Sequence, residues 1–78
     1  MKTKELKAER IRQGKNSTYM GKVIGKNDKT YRNKENGITQ WTYEEARLVM
    51  VDLGLSLERA DDIFLEYGFQ IGKNADKN

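Results

Sequence analysis

A chain of 78 residues without cysteine, histidine or proline has room for one small domain. It lacks the side chains for a disulfide framework, a Cys/His zinc site, or a Ser-His-Asp or Cys-His nucleophile system. Hydrophobic residues make up 36% and charged residues 35% of the chain, so its core has to come from a few well-spaced apolar positions. The net charge of +3 is unevenly divided: eleven Lys/Arg and three acids precede Glu35, giving +8, whereas four and nine from there on give −5. A basic half on so small a domain attracts polyanions such as nucleic acid or an acidic membrane surface.

Five short helical segments punctuated by glycine and asparagine, with no competing two-residue alternation, predict an all-α fold. The first spans about residues 3–13, with Leu6, Arg10 and Ile11 at helical spacing and Gly14 as its stop. The second opens after an Asn16 or Ser17 cap, carries Met20, Val23 and Ile24 at i, i+3, i+4, and ends at Gly25. Gly21 lies inside it. An interior glycine costs about 1 kcal/mol relative to alanine, so it marks a place where another backbone comes close.

The third segment starts at an Asn27 cap, runs over residues 28–35 and stops at Asn36-Gly37. Only Tyr31 in it is substantially apolar, so this helix is expected to be displayed to a partner. Trp41 is expected to pack between the third segment and the fourth. Thr42-Tyr43-Glu44-Glu45 reads as a capping box opening the fourth, in which Ala46, Val49, Met50 and Leu53 keep core spacing before Gly54. Leu48 and Val51 fall off that stripe and are left to meet a partner subunit or the C-terminal segment. The fifth segment opens at a Ser56 cap, has Leu57, Ala60, Ile63 and Phe64 apolar, and ends near Glu66. Residues 1–66 are thus expected to form the domain and residues 67–78 a tail. Within that tail Tyr67-Gly68-Phe69-Gln70-Ile71 either folds back or mediates self-association, and residues 72–78 read as frayed.

Residues 17–36 have the layout of a helix-turn-helix: a short helix, a tight turn at Gly25, and a second helix starting at a cap. Around it stand LKAERIRQG (residues 6–14), TYRNKENG (30–37), WTYEEA (41–46) and LGLSLERADDIF (53–64). In this order and spacing the chain resembles, over residues 6–65, the Cro and repressor class of phage and bacterial helix-turn-helix regulators. The resemblance implies a compact five-helix, lambda-repressor-like DNA-binding domain with its third helix in the major groove. Asp28, Lys29, Arg32 and Asn33 would then face base edges, and Ser17, Thr18, Asn27 and Asn36 would hold phosphates. Arg10 and Glu35 match the family's structural ion pair. The chemistry suits these roles, because Lys or Arg donates to guanine O6 and N7, Asn pairs with adenine, and Asp accepts from cytosine N4. Lys15, Lys22 and Lys26 would add diffuse, salt-sensitive attraction. Lys26 and Lys34 depart from the family pattern at positions that are commonly apolar, with stems expected to cover the core while the ammonium groups reach water. Residues 38–40 also lack the basic side chains many relatives place on the DNA backbone.

The leading expectation is a sequence-specific transcriptional regulator of phage or mobile-element type. It would bind double-stranded DNA as a homodimer, with third helices about one DNA turn, roughly 34 Å, apart. The alternative is the same scaffold used as a protein-interaction module, such as an antirepressor, an antitoxin subunit or an inhibitor of a host defence nuclease. No cofactor, metal, small-molecule ligand or membrane contact is expected. No apolar run approaches a membrane span and the N-terminus lacks the apolar stretch of a signal peptide, which predicts a soluble, cytoplasmic protein. Catalysis is not expected, as Glu58, Asp61, Asp62 and Glu66 read as a solvated face rather than an acid/base or metal site.

Overall fold

Side-chain caps set the starts of four of the five α-helices in the computed structural model, which describes residues 4–72. In chain order they are α1 (Glu5–Arg12), α2 (Ser17–Val23), α3 (Asp28–Glu35), α4 (Tyr43–Asp52) and α5 (Leu57–Phe64), followed by a 3-10 turn at Leu65–Tyr67. There is no strand among the described residues, so the fold is all-α. Asn16, not Ser17, caps α2, its Oδ1 accepting from the Tyr19 N–H at 2.8 Å, and Asn27 treats Thr30 the same way for α3. At α4 the capping box closes in both directions, since Thr42 Oγ1 accepts from the Glu45 N–H and Glu45 Oε1 from the Thr42 N–H. Ser56 Oγ caps α5. The expected first and fifth segments are longer than the helices: α1 ends at Arg12, Thr3 lies outside the described residues, and α5 tightens into the 3-10 turn after Phe64.

The glycine inside α2 is required by its surroundings. A Cβ on Gly21 would lie 2.8 Å from the carbonyl oxygens of both Lys26 and Asn27, main-chain atoms that cannot swing aside. The turn itself is closed by Gly25 at φ +73°, whose N–H donates to Lys22 O while the Lys26 N–H reaches back to Gly21 O at 2.7 Å. These contacts fix α2 and α3 as one tightly packed pair across residues 24–27.

Leu6, Met20, Ile24, Tyr31, Ala46, Val49, Leu53, Ala60, Ile63 and Phe64 bring all five helices to one core. Trp41 stands at its aromatic centre. Its ring meets Tyr31 at 6.0 Å, Phe64 at 5.0 Å and Tyr67 at 5.9 Å, all edge-on, and its Nε1–H donates to Lys34 O. These ring contacts join α3 to α5 and the 3-10 turn, and Trp41 shares the core with Ala46 and Val49 of α4.

Residues 67–72 fold back onto this core. Ile71 is buried, its N–H and that of Gly72 donate to Asp61 Oδ1 at 2.7 and 3.1 Å, and Phe69 packs on Phe64. A division after residue 66 would cut through one continuous core. Residues 73–78, the remainder of the tail expected to fray, lie outside the described residues. No helix among the described residues is long and apolar enough to cross a membrane.

Candidate nucleic-acid interface

α3 has two contrasting faces. Tyr31, Lys34 and Glu35 point inward and are buried, although two of the three are charged. Glu35 is held by α1: Arg10 Nε donates to its Oε2 at 2.8 Å and Nη2 to its Oε1 at 3.1 Å, a bidentate pair of the kind with the most geometric specificity. The Tyr31 hydroxyl donates to the same Oε2 at 2.9 Å, and Arg10 Nη1 reaches Lys15 O. The hydrogen bonds that Arg10 donates to Glu35 raise the Arg10 pKa. Burial, reinforced by the Glu35 charge, pushes the Tyr31 hydroxyl well above the ordinary tyrosine value, so it remains a neutral donor. From the other side, the Tyr67 hydroxyl donates to Glu35 O at 2.6 Å.

Lys34 corrects an expectation. Its ammonium group does not reach water but lies 2.9 Å from Glu45 Oε1 and 2.7 Å from Gln40 O. The reason is that the chain leaving α3 passes beside Lys34 and delivers the first turn of α4, so the capping-box carboxylate sits within the lysine's reach. Burial acts to raise the Glu45 pKa, but the Thr42 N–H and the Lys34 ammonium outweigh it and hold the carboxyl below its ordinary value. Lys26, whose ammonium group was likewise expected to reach water, is exposed.

The outer face of α3 gathers Asp28, Lys29, Arg32 and Asn33, spaced by one and four residues. Lys29 and Arg32 are exposed, and Asp28 and Asn33 half-buried. Arg32 Nη2 approaches Asp28 Oδ2 at 3.5 Å in an exposed i, i+4 pair. Lys29 and Asn33 have no side-chain partner among the described residues, though Asn33 O accepts from the Ile38 N–H at 2.8 Å and so helps to end the helix. Asn36 is the exposed C-cap. Asn27 is also exposed, but its Oδ1 is spent on the cap, which leaves its amide NH2 for a ligand. Ser17 and Thr18 open α2, the first half-buried and the second exposed.

Of the three lysines expected to attract anions diffusely, Lys22 and Lys26 are exposed and unpaired among the described residues. Lys15 is not available for that role. Its Nζ lies 3.0 Å from Asp52 Oδ2 and 2.9 Å from Asp52 O, tying the start of α2 to the end of α4, and Tyr19 adds a hydroxyl bond to Asp52 Oδ1. With Asp28 the sole acid in residues 17–34, the lysines at 22, 26 and 29 and Arg32 leave this side of the molecule electropositive.

Sequence reasoning missed the Lys34–Glu45 pair, the Lys15–Asp52 tether and the Asp61 clasp. The capping box was a visible signal for Glu45, yet nothing local announced its second partner. Asp61 and Glu66, members of the acidic segment, are engaged by main-chain N–H groups of Ile71, Gly72 and Glu5. Among the described residues no three acids are placed to hold a metal ion. No protein-family model matches the chain, and no curated protein and no solved structure matches it.

Proposed function

We propose that the protein is a sequence-specific DNA-binding regulator of the helix-turn-helix kind, with α2 and α3 as the motif and α3 as the reader in the major groove. The observation that carries this reading is the division of α3 itself. Its inner face is anchored by Arg10–Glu35, Tyr31 and Lys34–Glu45, while its outer face offers Asp28, Lys29, Arg32 and Asn33 to solvent. A helix fixed so firmly on one side and so polar on the other is a rigid platform for base-edge hydrogen bonds.

The B-DNA major groove, about 12 Å wide, admits an α-helix. Lys29 and Arg32 suit guanine O6 and N7, Asn33 the N6 and N7 of adenine, and Asp28 the N4 donor of cytosine. An exposed ion pair such as Arg32–Asp28 contributes only about 0–1 kcal/mol, so exchanging it for a base contact costs little. Ser17, Thr18, Asn27 and Asn36 are the candidates for phosphate contacts, and Lys22 and Lys26 for the salt-sensitive attraction. Two copies acting together would read an inverted repeat.

Selection of bound sequences from a random duplex pool tests the reading. An inverted repeat should be enriched, with affinity falling linearly in log salt at about −0.9 per phosphate neutralised. Retention of no preferred sequence would overturn it in favour of a protein-directed module on the same scaffold.

A further inference from the structure

Asn36 is the one asparagine in the chain that precedes a glycine, and it stands where α3 ends and the chain turns toward α4. Residues 36–40 are all exposed. Among the described residues the Asn36 side chain makes no hydrogen bond, whereas the Oδ1 atoms of Asn16 and Asn27 are committed to helix caps. Gly37, at φ +79°, has no Cβ to keep its nitrogen away from a neighbouring carbonyl carbon.

That nitrogen is held by one bond, from its N–H to Lys34 O at 3.1 Å. The same carbonyl accepts from the Trp41 Nε1–H, also at 3.1 Å, so giving up the Gly37 bond leaves no buried acceptor unsatisfied. Beside it lies a cavity of about 130 Å³ lined by Gly37, Thr39, Gln40, Trp41 and Tyr67, which gives the turn room to shift and water a path to it. A helix end with exposed main-chain bonds opens locally, without the rest of the fold.

We propose that Asn36-Gly37 is a site of self-modification in the folded protein, at which the side-chain amide of Asn36 is lost. When the last turn of α3 opens, the Gly37 nitrogen gives its proton to solvent and attacks Asn36 Cγ. The Cγ–Nδ2 bond breaks and ammonia leaves, closing a five-membered succinimide. Water then adds to one of the two ring carbonyl carbons. Cleavage between the nitrogen and Cγ yields aspartate, and cleavage between the nitrogen and the main-chain carbonyl carbon yields isoaspartate, which routes the main chain through Cβ and Cγ. Water enters and ammonia leaves, with no oxidation or reduction. Either product adds one negative charge at the C-terminal end of α3, where the helix dipole disfavours a carboxylate. Isoaspartate also lengthens the main chain there, so the end of α3 carries a slow, one-way timer.

The effect of this change on DNA rests on the reading above, in which Asn36 faces a phosphate, whereas the modification itself needs no DNA. The converted chain, separated from the parent by ion exchange, should bind every duplex more weakly. Unchanged binding would count against that phosphate contact alone. The modification is tested by peptide mapping of the full chain with mass spectrometry during incubation in mildly alkaline buffer. Amide-to-acid conversion should appear at residue 36 ahead of residues 16, 27 and 33, with isoaspartate among the products and a rate that rises with hydroxide. Asn36→Gln, whose ring closure would need a six-membered imide, should remove the fastest-converting site. Native-state hydrogen exchange should find the Gly37 N–H opening more readily than that of Val49, buried in α4, by a factor of about ten or more. Conversion at Asn36 no faster than at Asn16 and Asn27, or a Gly37 N–H as protected as that of Val49, would overturn the proposal.

Discussion

Lys34 Nζ stands 2.9 Å from Glu45 Oε1, and each side chain keeps only 9% of its surface in water. The same carboxylate oxygen accepts the Thr42 N–H that begins α4. One buried charge pair therefore ties the end of α3 to the start of α4, and its two halves are unequal in what their loss does.

Glu45→Gln keeps a side chain able to accept the Thr42 N–H but strands the Lys34 ammonium in a dry place. Removing one partner of a buried pair costs about 3–5 kcal/mol, whereas replacing both by groups of similar volume is often neutral. Urea unfolding should accordingly find Glu45→Gln markedly less stable than the parent, and Lys34→Met/Glu45→Gln closer to it. A double variant less stable than Glu45→Gln would show that the pair is not the source of the loss.

The depressed pKa of Glu45 gives the same contact a pH signature. A carboxyl whose folded pKa lies below its unfolded value binds more protons when unfolded, so its contribution is fully present above the unfolded value and is lost as pH falls through the folded one. Glu9, held low by hydrogen bonds from Gln13 and Arg12, acts in the same direction. Denaturant midpoints should therefore fall on acidification below about pH 4.5, the ordinary glutamate range. Glu45→Gln should flatten that fall without eliminating it.

Arg10 and Glu35 couple α1 to α3 in a similar way, with Tyr31 as a third member. Arg10→Ala would leave the Glu35 carboxylate buried with only the Tyr31 hydroxyl, at a cost of about 3–5 kcal/mol. Tyr31→Phe removes one hydrogen bond to a charged group and should cost about 1.5–3 kcal/mol. Thermal unfolding followed by circular dichroism checks the order, Arg10→Ala being the more damaging.

What the sequence made legible was whatever a local signal encodes. The caps at Asn27, Thr42 and Ser56, the glycine stops and the core spacing of Ala46, Val49 and Leu53 each depend on neighbours a few residues away, and these elements formed where their signals stood. Gly21 was legible for a different reason, because an interior glycine in a helix is costly enough to need an explanation. The roles of Lys34, Lys15 and Asp61 were not legible. Each is decided by a partner 10 to 37 residues away, Ile71, Glu45 or Asp52, and a charged residue carries no mark telling whether its end meets water or a distant carboxylate. The expected snorkelling of Lys34 followed correctly from its own stem and failed only because α4 begins beside it.

Gly21→Ala reverses the usual sign of a helix substitution. In an open helix the change gains about 1 kcal/mol. Here the added methyl would press on two carbonyl oxygens at 2.8 Å, and overpacking of that kind costs typically 1–3 kcal/mol. A lowered melting temperature is expected, and a raised one would mean that α2 and α3 can separate without penalty.

The outer face of α3 should behave in the opposite way, with little effect on folding and a large one on binding. Arg32 and Lys29 contribute no buried contact, and the single ion pair of Arg32 is exposed, so Arg32→Ala and Lys29→Ala should leave the melting temperature within the small range of surface changes, about 0.5 kcal/mol either way. On the selected duplex each should lose about 1–3 kcal/mol of discrimination at one base position. Lys26→Ala, beside the turn, should instead weaken all duplexes alike and reduce the salt slope by about 1. Competition binding between the selected site and single-base variants, repeated over a salt series, separates the two kinds of loss. If Arg32→Ala weakened every duplex equally while leaving base preferences intact, the guanidinium would be a phosphate contact, and the reading residues would have to be sought at Asn33 and Asp28.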